Sequence, residues 1–231
     1  MLPRFRRGAF GVFALAFLVT MLLGDREGFA SASSLQPTLV MEGKQLWTVV
    51  TASLRYPEGV GLLGLFVTLG VQWVLGSRLE GFWGTTRYLV MVLVAGLVGY
   101  ASVIGLGVFV PAIRESIYSG PTPMDAAAVL AFAVVFADQR MRVGSRELSP
   151  KVVAAVGGVF VLAFPLVTSL AGGTAPAQVW PQLLPSVFGM IVAVLFVQPW
   201  RTRPSSGKVE PSKQRGATHL RIVRTPDDML N

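Results

Sequence analysis

Apolar residues in this chain come in six long runs, at 8–24, 59–77, 88–110, 123–137, 152–170 and 181–198, separated by shorter polar stretches. The first run has 17 residues, which as a helix covers roughly 25 Å and crosses a bilayer with slight thinning. Apolar runs of this length are too long for a soluble core. The pattern predicts an all-α membrane protein, a bundle of six transmembrane helices. Within the fifth run Pro165 removes one backbone hydrogen bond, so that helix should kink or settle into a neighbour's pocket.

The fourth run is the exception, because its 15 residues cover only about 22 Å of a hydrocarbon core that is about 30 Å thick. One end must start inside the bilayer, fed by an irregular loop at 113–121. Such backbone survives at membrane depth only inside protein or beside a water-filled cavity, so this helix should be central and ringed by the other five. Ala126, Ala127, Ala128, Ala131 and Ala133 give it small-residue faces that let neighbours approach closely. Its start reads Gly120-Pro121-Thr122-Pro123-Met124-Asp125. Thr122 suits an N-cap, Pro123 the first helical position and Asp125 the third, where a carboxylate faces the positive helix end.

Between the first two runs lie 34 residues, 25–58, which is long for a plain connector. The stretch GKQLWTVVTASL inside it is either functional or folded against the membrane surface, with Trp47 as an interfacial anchor. Ala30-Ser31-Ala32 behind a basic start also fits a signal-peptide cleavage site, although 17 apolar residues exceed the usual signal core.

Charge refines this picture. Charged residues make up 14% of the chain, against about 25% in soluble proteins, and mean hydropathy is +0.60. Of the 20 Lys and Arg, 16 fall on one side of six alternating spans and 4 on the other, which places both termini in the cytoplasm. Compactness and short tails suggest a bacterial cytoplasmic membrane. The chain divides into a membrane domain, 1–200, and a disordered basic tail, 201–231. The tail's expected partner is anionic lipid rather than nucleic acid. With no cysteine and one histidine, His219 in the tail, the sequence offers no disulfide, no thiolate nucleophile and no membrane-embedded His base. No metal site and no cofactor are expected.

Between the second and third runs lies LGSRLEGFWGTTRYLV, a short polar hinge from Leu75 to Val90. Leu75, Gly76, Leu79, Glu80, Gly84, Arg87, Tyr88 and Leu89 reproduce in one register the pattern LGxxLExxxGxxR, an aromatic and a leucine. This resembles the hinge between the second and third helices of the rhomboid intramembrane protease superfamily. The resemblance implies a rhomboid-like bundle with a short central fourth helix. It also implies where chemistry would sit. Rhomboid proteases begin the fourth helix with GxSG; here Gly120 matches, Thr122 stands at the nucleophile and Pro123 replaces the second glycine. The histidine base of the sixth helix corresponds to Ser186, while Gly189 and Ala193 keep its packing pattern. The oxyanion donors correspond to Gly64 and Thr68. A Trp-Arg pair in the first loop is half kept, as Trp47 followed by Thr48.

A hydroxyl needs a base to attack at neutral pH, and Ser186 cannot accept a proton usefully there. Packing positions hold while chemical positions depart. The implied protein is therefore a rhomboid fold without proteolysis, whose partners are transmembrane segments of client membrane proteins, in a quality-control or trafficking role. Two other classes stay open. One is an active serine- or threonine-type intramembrane peptidase; the other is a small-molecule transporter, against which stand the near absence of charge within the spans and the lack of repeated halves.

Overall fold

The computed structural model describes residues 4–23, 28–57, 60–137, 139, 141–143 and 146–201. These fall, up to Pro199, in one compact unit; the basic tail beyond Arg201 lies outside the described residues. The fold is almost wholly helical, as its apolar runs dictate. Helix α1 (Arg7–Leu18) continues into a π-helical turn at Val19–Leu23. Three short helices, α2 (Phe29–Ser33), α3 (Pro37–Met41) and α4 (Thr48–Thr51), fold the long connector. Then come α5 (Gly61–Gly70), a π-helical stretch at Val71–Gly76, α6 (Ser77–Trp83) and α7 (Thr85–Gly107). After the short α8 (Pro111–Arg114) come the central α9 (Thr122–Val135), a small antiparallel hairpin of β1 (Met141–Val143) and β2 (Arg146–Leu148), α10 (Pro150–Ala171) and α11 (Leu184–Arg201).

Among the described residues four helices are long and apolar enough to cross a membrane: Gly61–Trp83, Thr85–Gly107, Pro150–Ala171 and Trp180–Gln198. The first and fourth expected runs form shorter apolar helices, Arg7–Leu22 and Thr122–Val135. α9 packs against the second span, α7 and α10. Residues Thr122 to Val129 are buried without a break, with Ala126, Ala127, Ala128 and Ala131 fully enclosed and Ala133 partly so. Helix α10 passes through Pro165 without interruption.

The connector 25–58 is stitched to the loop that feeds α9. Leu35 and Tyr118 exchange backbone hydrogen bonds of 2.9 Å each way, and the Gly120 amide donates to the Ala52 carbonyl at 2.8 Å. These bonds satisfy irregular backbone that lipid could not. Trp47, exposed on this segment, donates its indole N–H to the Ala32 carbonyl at 2.8 Å.

The polar hinge corrects the sequence expectation. Residues 75–83 are helical, so Ser77, Arg78 and Glu80 sit on the end of the second span instead of in a loop. The turn is made at Gly84, with φ 83° and ψ 159°, a conformation that favours glycine because a Cβ would be strained there. Arg87, one turn into α7, reaches the far end of the bundle's last helix: it donates to the Phe196 carbonyl at 3.1 Å and stacks over Trp83 at 5.3 Å. Glu80 caps α1 from another helix. Its carboxylate accepts from the amides of Gly8 (3.0 Å) and Ala9 (2.9 Å) and from the Thr85 hydroxyl (2.7 Å). A negative group on orphan amides at the positive end of a helix is stabilising on both counts. Gly8 has to be small here, since a Cβ would lie 3.1 Å from the carboxylate.

Replacing Glu80 with Ala strands both amides at a buried contact and should lower stability by about 2 kcal/mol. Glu80→Gln, which keeps one acceptor oxygen, should recover part of the loss. Reversible unfolding of the full chain in mixed micelles reads both, and equal stability of Glu80→Ala and the unaltered protein would refute the cap.

Candidate functional site

Asp125 lies in the first turn of α9 at zero exposure. The sequence expectation made it a cap for its own helix, with Thr122 as N-cap. The structure corrects both assignments. The N-cap is Pro121, no side chain caps the helix, and Thr122 is its first residue. Asp125 turns instead to the second span, where the Thr68 hydroxyl donates to Oδ2 at 2.6 Å and the Gln72 amide to Oδ1 at 2.8 Å. Thr68 and Gln72 are four residues apart on one helix face, so a single carboxyl is grasped at both oxygens from one side.

Each donor is itself held. The Tyr56 hydroxyl bonds to Thr68 at 2.8 Å, and the Tyr88 hydroxyl donates to Gln72 Oε1. Because Thr68 spends its hydrogen on Asp125, Tyr56 is the donor in its pair with Thr68. Two chains of donors, from Tyr56 through Thr68 and from Tyr88 through Gln72, therefore converge on one acceptor. All five residues are buried, at 1% exposure or less. Burial of so many polar groups is tolerable because every partner is supplied.

Glycines make the room. A Cβ at Gly64 would lie 2.5 Å from the Tyr56 ring, and one at Gly120 would lie 3.2 Å from the same ring. A Cβ at Gly76 would come within 2.5 Å of the Tyr88 hydroxyl. Gly120 also has φ 112° and accepts the Tyr100 hydroxyl on its carbonyl at 2.6 Å. The positions compared with oxyanion donors, Gly64 and Thr68, thus serve the Asp125 network: one admits Tyr56, the other bonds the carboxyl.

Thr122 and Ser186 come from helices that meet tightly. A Cβ at Gly189 would collide with the Pro123 carbonyl, and one at Gly99 would lie 2.7 Å from the Pro185 carbonyl and 2.8 Å from Pro123 Cβ. Ala193, one turn beyond Gly189, is fully buried. Ser186 is also fully buried, yet its hydroxyl has no hydrogen-bond partner, so it does not bond Thr122. The Thr122 hydroxyl neighbours that of Tyr100. Among the described residues no group of three or more His, Cys, Asp or Glu side chains could hold a metal ion.

A cavity of about 800 Å³ opens beside the start of α9. Thr122 lines it, with Pro57 and Val60 at the entry to the second span on one wall and Phe164, Pro165 and Thr168 of α10 on the other. Hydroxyl, amide and Glu115 side chains make more than half of its lining residues.

Tyr56, Gln72 and Tyr100 were not singled out by sequence reasoning, and no polar role was read for Tyr88. Tyr88 was visible only as the aromatic of the hinge motif. The other three carried no spacing signal, although Gly64 and Gly120 marked where a large neighbour would need space.

Gly189→Leu should be the most damaging of the single changes at this site, costing about 3 kcal/mol because backbone rather than a mobile side chain blocks it. Asp125→Leu leaves Thr68 and Gln72 without acceptors and should cost at least about 2 kcal/mol, whereas Asp125→Asn keeps an acceptor for one of them and should cost less. Thermal unfolding of the three variants ranks them; Asp125→Leu as stable as Asp125→Asn would contradict the network.

Comparison with known proteins adds a family and no closer relative. No curated protein and no solved structure matches the chain. One family model, described as eukaryotic integral membrane protein (DUF1751), matches residues 7–217, from the first turn of α1 through every helix above. A eukaryotic family overturns the expected bacterial cytoplasmic membrane, an expectation that rested on compactness and short tails alone. With nearly its whole length matched, the chain belongs to this family of integral membrane proteins.

Proposed function

We propose that this is a non-proteolytic, rhomboid-like membrane protein that binds transmembrane segments of other membrane proteins. The observation that carries the reading is the cavity beside the α9 start, lined by Pro57 and Val60 just before the second span on one side and by α10 on the other. α10 is the most loosely enclosed of the four long helices: 22% of its most apolar stretch is buried, against 39–50% for the others. A helix that enters between these walls meets apolar surface from Phe164 and Val60 and hydroxyls from Thr122 and Thr168. Helix association in lipid relies on close packing and such interhelical hydrogen bonds.

The rhomboid likeness draws further support from the roles of the motif residues. Glu80, Gly84 and Arg87 each make a contact that fixes the hinge between the second and third helices, and Gly189 seats the last helix on the first turn of α9. The non-proteolytic reading draws on the chemistry at Thr122. Its hydroxyl neighbours that of Tyr100, and the Ser186 hydroxyl that stands at the base position makes no hydrogen bond; neither group is a base near neutral pH.

A photo-crosslinking residue placed at Val60 or at Thr168 in the full chain should capture transmembrane segments of neighbouring proteins in native membranes, identified by mass spectrometry of the crosslinked peptide. The same probe at Val152, exposed on α10 away from the cavity lining, should not enrich them. Equal capture from all three positions would defeat the proposed site. Fluorophosphonate labelling that Thr122→Ala abolishes would replace this reading with a peptidase.

A further inference from the structure

We propose that the outer corner of the hinge is a binding site for the phosphate of an anionic membrane lipid, built from Arg6 and Arg78 and completed by Arg4 and Arg7. The proposal rests on how the chain start is laid along α6. The Arg6 amide donates to the Ser77 hydroxyl at 3.2 Å, and the next contacts in sequence are those of Gly8 and Ala9 with Glu80. Residues 6–9 therefore run beside 77–81. The Arg6 guanidinium lies on the backbone at Gly81, where a Cβ would stand 3.1 Å from Nε and 3.2 Å from Nη2. Arg78 precedes Gly81 by three residues and so flanks it on the same surface of α6.

None of Arg4, Arg6, Arg7 and Arg78 has a carboxylate partner among the described residues. The acidic group at this corner, Glu80, is already engaged by two amides and a hydroxyl, and it points at the α1 start. Arg4, Arg6 and Arg7 are exposed and Arg78 is half-buried. The Arg6 and Arg78 guanidiniums thus share one end of the second span without a carboxylate partner, with Arg4 and Arg7 beside Arg6 along the chain, at the level where Trp83 and Arg87 mark the edge of the apolar stretch. Guanidinium forks match phosphate oxygens in shape as well as charge. At the end of two membrane helices the phosphate within reach belongs to a lipid headgroup, which commits the site to lipid rather than to soluble phosphate. Gly81 is the floor of the site: it lets the Arg6 fork lie flat.

The test uses the full chain in phosphatidylcholine nanodiscs with a trace of spin-labelled phosphatidic acid or spin-labelled phosphatidylcholine, and reads the immobilised fraction of each by electron paramagnetic resonance. The unaltered protein should prefer phosphatidic acid. Because an interfacial cation contributes about fivefold to the attraction of anionic lipid, Arg6→Gln with Arg78→Gln should reduce that preference by at least fivefold. Gly81→Leu, which displaces the Arg6 fork and leaves every charge in place, should also weaken it. Arg203→Gln with Arg215→Gln, which removes two charges from the tail, should leave it nearly intact. Added inorganic phosphate at millimolar concentration should not displace the lipid. The proposal is overturned if the tail variant loses the preference and the hinge variant keeps it, if Gly81→Leu behaves as the unaltered protein, or if inorganic phosphate competes as well as lipid.

Discussion

A carboxyl group with no exposure has to be hydrogen-bonded at both oxygens, and in this fold that requirement ties the central helix to the second span. Asp125 sits in the first turn of α9, and its two donors, Thr68 and Gln72, lie one helical turn apart on a single neighbour. Leaving either donor or acceptor unpaired in this setting costs a large share of a typical net stability. The arrangement therefore acts against wrong registers: a shift of α9 along the second span by one residue would strand the carboxyl and two donors at once. Tyr56 and Tyr88 extend the same logic outward, since each holds one donor in the orientation Asp125 needs. Four glycines, at 64, 76, 99 and 189, then let rings and backbones approach where any side chain would collide.

The second span carries a second polar anchor at its other end. Glu80 faces the start of α1, as Gln72 faces α9, and eight residues or about 12 Å of helix separate the two. Gln72 lies inside the π-helical stretch Val71–Gly76 and Glu80 follows its end. A wider turn changes the phase of everything beyond it, so one continuous helix can present Thr68 and Gln72 to α9 and Glu80 to α1. The hinge motif is thus two devices joined: Glu80 with Gly8 fixes the first helix, and Gly84 with Arg87 fixes the course of the third.

Much of the fold was legible because its causes are local or compositional. Apolar runs, the short fourth run, its alanine faces and the length of the connector all follow from counting along the chain. The site was less so. Pro121-Thr122-Pro123-Met124-Asp125 has the residues of a capped helix start, and nothing within that stretch says that Asp125 will turn away from its own amides. The deciding partners, Thr68 and Gln72, are 57 and 53 residues away. Tyr56 was hidden for a related reason: it belongs to a connector with no periodicity, and its role comes from Gly64 and Gly120, which lie apart in sequence and meet at its ring. The hinge was read too broadly because polar residues at 77–80 suggest a loop, whereas one glycine with a positive φ suffices to make the turn.

If the cavity admits a client helix, as proposed, the distribution of polar anchors bears on which of its walls would give way. Side-chain hydrogen bonds tie α1, the second span, α7 and α9 together within the bundle: Glu80 to α1 backbone amides, Asp125 to the second span, Tyr88 to Gln72, Tyr100 to the Gly120 carbonyl. Among the described residues the side chains of α10 make no hydrogen bond to another helix; Thr168 bonds only the Pro165 carbonyl of its own. What seats α10 is packing, with Ala154, Val161 and Phe164 buried and Gly157 set against Leu75 and Val129. Lipid tails are as apolar as those contacts, so in a bilayer they hold a helix only by fit. A guest helix that fits comparably would exchange one such set of contacts for another, without breaking a polar link. In the client-binding reading, α10 is therefore the wall that moves, while the second span, pinned at Asp125 and at Glu80, remains the fixed frame.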